Sequence, residues 1–140
     1  MQVNIYIECD NSFKATEKNF GYVLQCFTKK GEQTREGFGK QTGTIHRVTL
    51  QAILEALKRM KQPCEINIYT QNTFIANMYD HYLEDWVMHD FKKSANEPIV
   101  NAAEWKKLWE LSQEHHIEII PGKHTFSEWI LEEANRRSPQ

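Results

Sequence analysis

Long apolar runs, clustered cysteines and an excess of one charge are all missing from this 140-residue sequence. No apolar stretch approaches the roughly 20 residues that a membrane-spanning helix needs, so we expect no membrane association. The N-terminal segment MQVNIYIECD has neither a basic flank nor a small-residue cleavage site, which predicts no signal peptide and a cytoplasmic location. Cys9, Cys26 and Cys64 are odd in number and far apart, which favours buried reduced thiols over a disulfide or a zinc site.

The net charge is only −2, so the chain lacks the strongly basic character that is typical of nucleic-acid-binding proteins. The charge is unevenly distributed, however. Residues 1–62 hold ten Lys and Arg against six Asp and Glu, a balance of +4, and residues 63–140 hold seven against thirteen, a balance of −6. This asymmetry allows a local basic face in the first half, and an uneven solvated surface without a ligand explains it equally well.

The composition itself is ordinary, with 40% hydrophobic and 26% charged residues. A chain of this length buries about two thirds of its unfolded surface and needs no disulfide or metal to hold its core. We therefore expect one domain over residues 1–140.

Hydrophobic periodicity predicts ten elements in the order β-β-β-α-β-α-α-α-β-α. In the first segment Val3, Ile5, Ile7 and Cys9 alternate with polar residues, which indicates a strand. Glycines in the third segment predict an edge strand. Residues 11–19 and 92–101 are expected to be loops. The predicted strands cover 3–9, 21–28, 33–42, 65–70 and 117–121. One predicted helix begins at His46, and four more cover 72–80, 81–90, 103–115 and 127–137.

Three opening strands fit an antiparallel meander, and the later strands, each reached through a helix, fit parallel crossovers. The predicted fold class is therefore α/β, with a mixed five-stranded sheet and helices on both of its faces.

The order and spacing of five segments resemble a type 1 ribonuclease H over nearly the whole chain. The segments are IYIECDNS, HRVTLQAILEALKRM, YTQNTFI, EPIVNAAEWKKLWELSQEHHIEI and PGKHTFSEWILEEANRR. The resemblance implies a ribonuclease H-like fold. It also implies an enzyme that cuts the RNA strand of an RNA–DNA hybrid with two Mg²⁺ or Mn²⁺ ions held by four carboxylates.

Two of those four acids are replaced in this sequence. Asp10 matches the first acid, whereas Thr49 stands where the family has Glu and Gln71 stands where it has Asp. On the last helix, Glu132 or Glu133 falls near the fourth acid. Thr and Gln offer neutral oxygens, which compensate a divalent cation poorly. The sequence therefore predicts a degenerate centre, in which Asp10 binds a metal weakly if at all and no cofactor is expected.

The resemblance assigns further roles near this centre. His124 matches a histidine that the family uses in catalysis, so the predicted remnant catalytic set is Asp10, Glu132 and His124. Thr44 matches a residue that holds a DNA phosphate, and His46 replaces an asparagine that reads the minor groove. Asn11, Lys14 and Lys18 are further candidate contacts to nucleic acid.

The charge of the second half argues against a strong grip on nucleic acid. Residues 81–110, where many active relatives carry a basic protrusion, hold four Lys against six acids. Three functions stay open at this point. The leading hypothesis is a catalytically inactive or impaired module that binds RNA–DNA hybrid or other nucleic acid weakly. The alternatives are an active divergent ribonuclease H that uses Mg²⁺ or Mn²⁺, and a protein-interaction domain with no nucleic-acid role.

Overall fold

A computed structural model describes residues 1–137 as five strands and five helices, with a single 3-10 turn between the third and fourth helices. The observed order is the one predicted. The elements are β1 (Gln2–Cys9), β2 (Thr16–Thr28), β3 (Gly31–Gly43), α1 (Ile45–Leu57), β4 (Glu65–Thr70), α2 (Thr73–His81), α3 (Leu83–Met88), α4 (Ala102–Ser112), β5 (His116–Pro121) and α5 (Ser127–Arg137).

The strands form one sheet in the order β3-β2-β1-β4-β5. β1, β2 and β3 pair antiparallel as a meander, and β4 and β5 run parallel to β1. The predicted mixed sheet and the edge position of β3 are both confirmed. The carboxyl ends of β1 and β4 consequently meet at the same edge of the sheet, where side chains from separate segments converge.

Alternation along the strands sends two apolar sets to opposite faces of the sheet. The larger core lies under α1 and includes Val3, Ile5 and Ile7, and a smaller cluster on the α5 side contains Tyr6, Val23 and Ile130. Gly37 has to lack a side chain, because a Cβ there would lie 2.3 Å from the Tyr22 ring. The edge strand therefore stays close to the aromatic side chains of β2.

α1 begins at Ile45, one residue before the predicted start at His46. The Thr44 side chain accepts a hydrogen bond from the Arg47 amide at 3.4 Å and caps the helix. Thr49 lies one turn inside, on the buried face, and is 2% exposed. The cap thus fixes where Thr49 meets the carboxyl end of β1.

The loop predicted over 11–19 is shorter than expected, because β2 already begins at Thr16 and pairs with β3 up to Gly43. The polar residues at the start of β2 show no apolar alternation that would have revealed the strand.

All three cysteines are free thiols, with Cys9 and Cys64 buried and Cys26 half-buried. Over residues 1–137, none of the helices has the length and apolar character that crossing a membrane requires.

Candidate functional site

A cleft of about 630 Å³ opens at the carboxyl ends of β1 and β4 and is bounded by α1, α5 and the start of β2. It brings together Asp10, Thr49 and Gln71, which the sequence predicted to share one site. Its polar lining is completed by Glu8, Asn11, Ser12, Thr16, Glu17, Lys18, Thr70, Asn72 and Asn135.

The Thr49 hydroxyl uses all of its hydrogen-bonding capacity inside the protein. It donates to the Ile45 carbonyl at 2.7 Å, and it accepts from the Asn72 amide at 3.1 Å. The thiol of Cys9 lies 3.5 Å from the same oxygen, and since the hydroxyl proton is directed to Ile45, the thiol is the donor in this contact. A hydroxyl has one proton and two lone pairs, so Thr49 offers no further oxygen ligand.

Asn72 connects this hydroxyl to the rim of the cleft. Its Oδ1 accepts from the Ile75 amide at 3.1 Å and caps α2, which orients the side-chain NH₂ toward α1. That NH₂ group donates to Thr49 and, at 3.1 Å, to Nδ1 of His46. Nδ1 of His46 is therefore an unprotonated acceptor.

Burial perturbs two titratable groups of this network. Partial burial lowers the pKa of His46, whose ring stacks on Phe74 with centroids 4.1 Å apart. Burial also raises the pKa of Cys9 to about 11. Both groups are therefore held in their neutral forms at pH 7, and the network carries no charge.

Asp10 is the acid at the centre of the cleft. One of its oxygens, Oδ2, accepts from the backbone amide of Asn19 at 3.0 Å. Gln71 is exposed and presents a neutral amide from the end of β4. Glu17 also lines the cleft, but it is exposed and pairs with Lys40 at 3.6 Å. Across residues 1–137, no three His, Cys, Asp or Glu side chains are grouped so that they could hold a metal ion.

His124 is used inside the protein rather than at the cleft surface. Its side chain is 4% exposed, and Nε2 lies 3.0 Å from Oε2 of Glu8 and 3.3 Å from the Ile7 carbonyl. Its other nitrogen accepts from the Phe126 amide at 3.2 Å, which places the proton on Nε2. Ser127 donates to the same Glu8 carboxylate at 2.5 Å. The pair thus fastens the loop before α5 to β1.

The face that α5 turns to the cleft differs from the one expected. Leu131 and Asn135, one helical turn apart, line it, whereas Glu132 and Glu133 do not. Glu132 is exposed, and Glu133 pairs with Arg136 and Arg137, which lowers its pKa to about 2. The burial of Ile130 and Ala134 against the sheet sets this rotation, so α5 brings a neutral amide to the cleft.

The predicted nucleic-acid contacts lie around the same opening but differ in accessibility. Asn11 and Lys14 are exposed. Lys18 is 1% exposed, and its ammonium donates to the Lys14 carbonyl and, at 2.9 Å, to the Thr16 hydroxyl. Lys18 lines the cleft, but in this arrangement its ammonium is engaged by the β1–β2 loop.

A second cavity of about 400 Å³ adjoins the cleft beside His46 and Thr44. Its walls are mainly aromatic and aliphatic. Trp86 and Trp105 contact each other there, with centroids 5.1 Å apart, and Phe74 closes the side nearest the cleft.

Sequence reasoning missed three participants in this site: Asn72, Asn135 and the pairing of Glu8 with His124. Asn72 is the first residue of the helix predicted over 72–80, and the preference of asparagine for the capping position is a signal that could have identified its role. Asn135 could have been found by placing Ile130 and Ala134 on the buried face of α5. Residues 8 and 124 are far apart in the sequence, and no local pattern links them.

Comparisons with known proteins agree on one family. The model of the RNase H family matches residues 2–127. A ribonuclease H of Thermoanaerobacter sp. (strain X514) is 32% identical over 104 residues, which is 74% of this chain and 66% of that protein. A ribonuclease H of Rickettsia bellii (strain RML369-C) is 36% identical over 117 residues, which is 83% of this chain and 73% of that protein. The chain thus spans about two thirds of the length of the first of these relatives.

Solved structures show the same fold. The solution structure of the PFV RNase H domain superposes with a TM-score of 0.74 at 17% identity, covering 96% of this chain and 93% of that one. LC11-RNase H1, solved in complex with an RNA/DNA hybrid, superposes with a TM-score of 0.60 at 16% identity, covering 95% of this chain and 96% of that one.

Proposed function

The chain belongs to the ribonuclease H family, and from this premise we propose that it binds RNA–DNA hybrids at the cleft but hydrolyses them slowly or not at all. The observation that carries the proposal is the saturated hydroxyl of Thr49. The position at which the family places a carboxylate is filled here by a neutral group whose proton and lone pairs are all engaged by Ile45, Asn72 and Cys9.

The donor set does not fit a pair of divalent cations. Mg²⁺ prefers oxygen ligands with negative charge and gives up its water reluctantly. Asp10 supplies a carboxylate, whereas Gln71, Asn72 and Asn135 supply neutral amides. The Glu8 carboxylate lines the cleft but is engaged by Ser127 and His124. These residues therefore do not support hydrolysis by a pair of bound metal ions.

Binding requires less of the site than hydrolysis does. Thr44 and His46 line the second cavity at the start of α1, and Lys14 lies on the β1–β2 loop, which also contributes Asn11 to the cleft. The resemblance expects contacts to nucleic acid from these segments. Asn11 is exposed between them and can reach a phosphate or sugar oxygen. The hybrid-bound structure of LC11-RNase H1 supports this assignment, because that protein shares the fold.

The test is a paired measurement on one labelled RNA–DNA hybrid. Fluorescence anisotropy gives the affinity at several salt concentrations, and gel analysis with Mg²⁺ or Mn²⁺ gives the cleavage rate. We expect salt-dependent binding with no cleavage above a buffer blank. In Lys14→Gln the decrease of log affinity with log salt should be less steep, by about 1 in the slope, because one phosphate contact is lost. Lys106→Gln, on the exposed face of α4, is the matched control and should leave the slope unchanged.

Two results would overturn the proposal in different directions. Turnover near the rate of an active ribonuclease H measured alongside, abolished in Asp10→Asn, would establish an active divergent ribonuclease H that depends on Asp10 and a divalent metal. A folded protein that shows no hybrid binding at low salt would favour the protein-interaction domain instead.

A further inference from the structure

A cavity of about 620 Å³ lies at the far end of α1 from the cleft, between that end of the helix and the β2–β3 hairpin. Arg35 contributes to it from β3, and Lys58, Arg59 and Lys61 contribute from the segment that ends α1. Among the residues that the structure describes, no Asp or Glu lines it. We call it the basic cavity. Its remaining lining residues are Leu24, Cys26, Gln33 and Met60.

The four cations form no short ion pair with an acid of residues 1–137. Over residues 1–137, no carboxylate oxygen comes within 4.0 Å of the side-chain nitrogens of Arg35, Lys58, Arg59 or Lys61. Like charges that share a concave surface repel one another and attract an anion. The excess of +4 over residues 1–62 is therefore partly concentrated here.

Strand alternation explains why the acids of β3 stay away from this cavity. Arg35 pairs with Leu24 and lies on the α1 face of the sheet. Glu36, its neighbour, has the opposite orientation and binds Arg137 of α5 at 3.2 Å. Glu32 accepts from Gln25 at 2.5 Å on that same opposite face. One strand thus presents cationic and neutral groups to one side and carboxylates to the other.

One of the cations is fixed in position. Arg59 donates from Nη1 to the Tyr22 hydroxyl and to the Glu36 carbonyl, each at 3.2 Å. Its guanidinium carbon lies 5.8 Å from the centroid of the Tyr22 ring. Lys58 and Lys61 are exposed and free to adjust on either side of it. A preorganised guanidinium flanked by flexible ammonium groups suits a phosphate.

We propose that the basic cavity binds single-stranded nucleic acid, with the phosphates on its cationic rim and an unpaired base against the apolar floor of Leu24 and Met60. An unpaired strand is favoured over a duplex because only an unstacked base can enter a concave site and meet that floor. The thirteen residues of α1 separate the cavity from the cleft by roughly 20 Å, so the two sites are independent.

The test measures anisotropy of a labelled single-stranded thymidine oligonucleotide of about ten nucleotides, a length within the span of single-strand sites. The variant Lys58→Gln/Lys61→Gln is compared with Lys106→Gln/Lys107→Gln, which removes the same charge from the exposed face of α4. Loss of two phosphate contacts should lower the slope of log affinity against log salt by about 1.4 and weaken binding roughly tenfold or more near 0.1 M salt. The control double variant should match the wild type.

An equal loss in both double variants would overturn the proposal, since it would show general attraction by net charge. Absence of binding by the wild-type chain would do the same. Polyglutamate is a polyanion without bases. If it displaces the labelled strand as effectively as unlabelled oligonucleotide does, the proposal that the cavity recognises nucleic acid is wrong. The failure of hybrid binding at the cleft leaves this result intact, because the probe is single-stranded and the altered lysines lie at the other end of α1.

Discussion

The side-chain amide of Asn72 lies 3.1 Å from the hydroxyl of Thr49, and this contact joins the start of α2 to the buried face of α1 across the cleft. In the related ribonucleases H, to which the resemblance points, carboxylates converge at this place and need cations between them. Here a neutral donor and a neutral acceptor satisfy each other directly. This contact therefore needs no compensating ion, and the proposed electrostatic difference from the family can be tested.

Restoring the two acids should restore part of the affinity for metal. In Thr49→Glu/Gln71→Asp two carboxylates join Asp10, and we expect Mg²⁺ binding that isothermal calorimetry detects and the wild type lacks. Without Mg²⁺ the double variant should be less stable than the wild type, because it adds negative charge at a buried position. Mg²⁺ at about ten times its dissociation constant should then raise the free energy of unfolding of the double variant by about 1.4 kcal/mol.

The matched control is Thr49→Gln/Gln71→Asn, which makes similar changes in size without adding charge. It should show no Mg²⁺-dependent stabilisation in the same urea titrations. Calorimetry that detects no Mg²⁺ uptake by Thr49→Glu/Gln71→Asp, in a protein that still folds, would contradict the geometry assigned to this cleft.

The pKa of His46 predicts a loss of stability in mild acid. Burial lowers that pKa below the ordinary value of about 6.5, so the unfolded chain takes up the proton more readily than the folded one. The contribution of neutral His46 to folding stability is therefore fully present above about pH 6.5. It is lost as the pH falls through the lower pKa that His46 has in the folded protein. Protonation at Nδ1 also removes the acceptor that Asn72 uses.

Urea unfolding at about pH 7.5 and about pH 5.5 measures this effect. His46→Asn should lose less stability between the two conditions than the wild type. His81→Asn, which alters an exposed histidine at the end of α2, should follow the wild type closely. An identical pH dependence for His46→Asn and the wild type would show that His46 takes no part.

Much of the fold could be predicted because its signals are local. The alternation of Val3, Ile5 and Ile7 and the apolar stripe of α1 set the element order, and from it the sheet topology followed. The cleft followed for the same reason, since parallel strands end at one edge. The start of β2 at Thr16 could not be found, because its polar residues are ordered by pairing with β3.

The finer arrangement of the site depends on contacts between distant segments. The rotation of α5, which turns Asn135 rather than Glu132 to the cleft, is set by packing of Ile130 against β1 and β2. From the sequence, Lys18 is expected to be an exposed cation in a polar stretch. Only the folded loop supplies the carbonyl and the hydroxyl that accept hydrogen bonds from its ammonium. These features require the tertiary structure before they become visible.

The thiol of Cys9 should react very slowly in the folded protein. Burial raises its pKa to about 11, so at about pH 8 only roughly one thiol in a thousand is ionised. Alkylation with iodoacetamide followed by mass spectrometry should label the half-buried Cys26 well before Cys9. In urea all three cysteines should react at similar rates. Labelling of native Cys9 as fast as Cys26 would contradict the closed network around Thr49.

The contact between His124 and Glu8 should be worth more to stability than any exposed ion pair of this chain. Both side chains are about 95% buried, and removing either one deprives the other of a buried hydrogen-bond partner. Removing the donor of a buried hydrogen bond costs about 1–3 kcal/mol, and more where the acceptor is a carboxylate, whereas exposed ion pairs contribute about 0–1 kcal/mol. We therefore expect His124→Ala to lower the free energy of unfolding in urea by about 3 kcal/mol. His116→Ala, which removes an exposed histidine paired with Glu118, should change it by less than about 1 kcal/mol.

A double-mutant cycle separates this pairing from the general loss of a buried side chain. Glu8→Gln keeps the shape of the side chain and removes its charge, and His124→Ala in that background should cost less than in the wild type. The difference is the coupling energy between the two residues. Additive losses would mean that His124 acts through packing on Tyr6, whose ring centroid lies 5.2 Å away, rather than through Glu8. A coupling energy above about 1 kcal/mol would instead establish His124 as the anchor of the loop before α5.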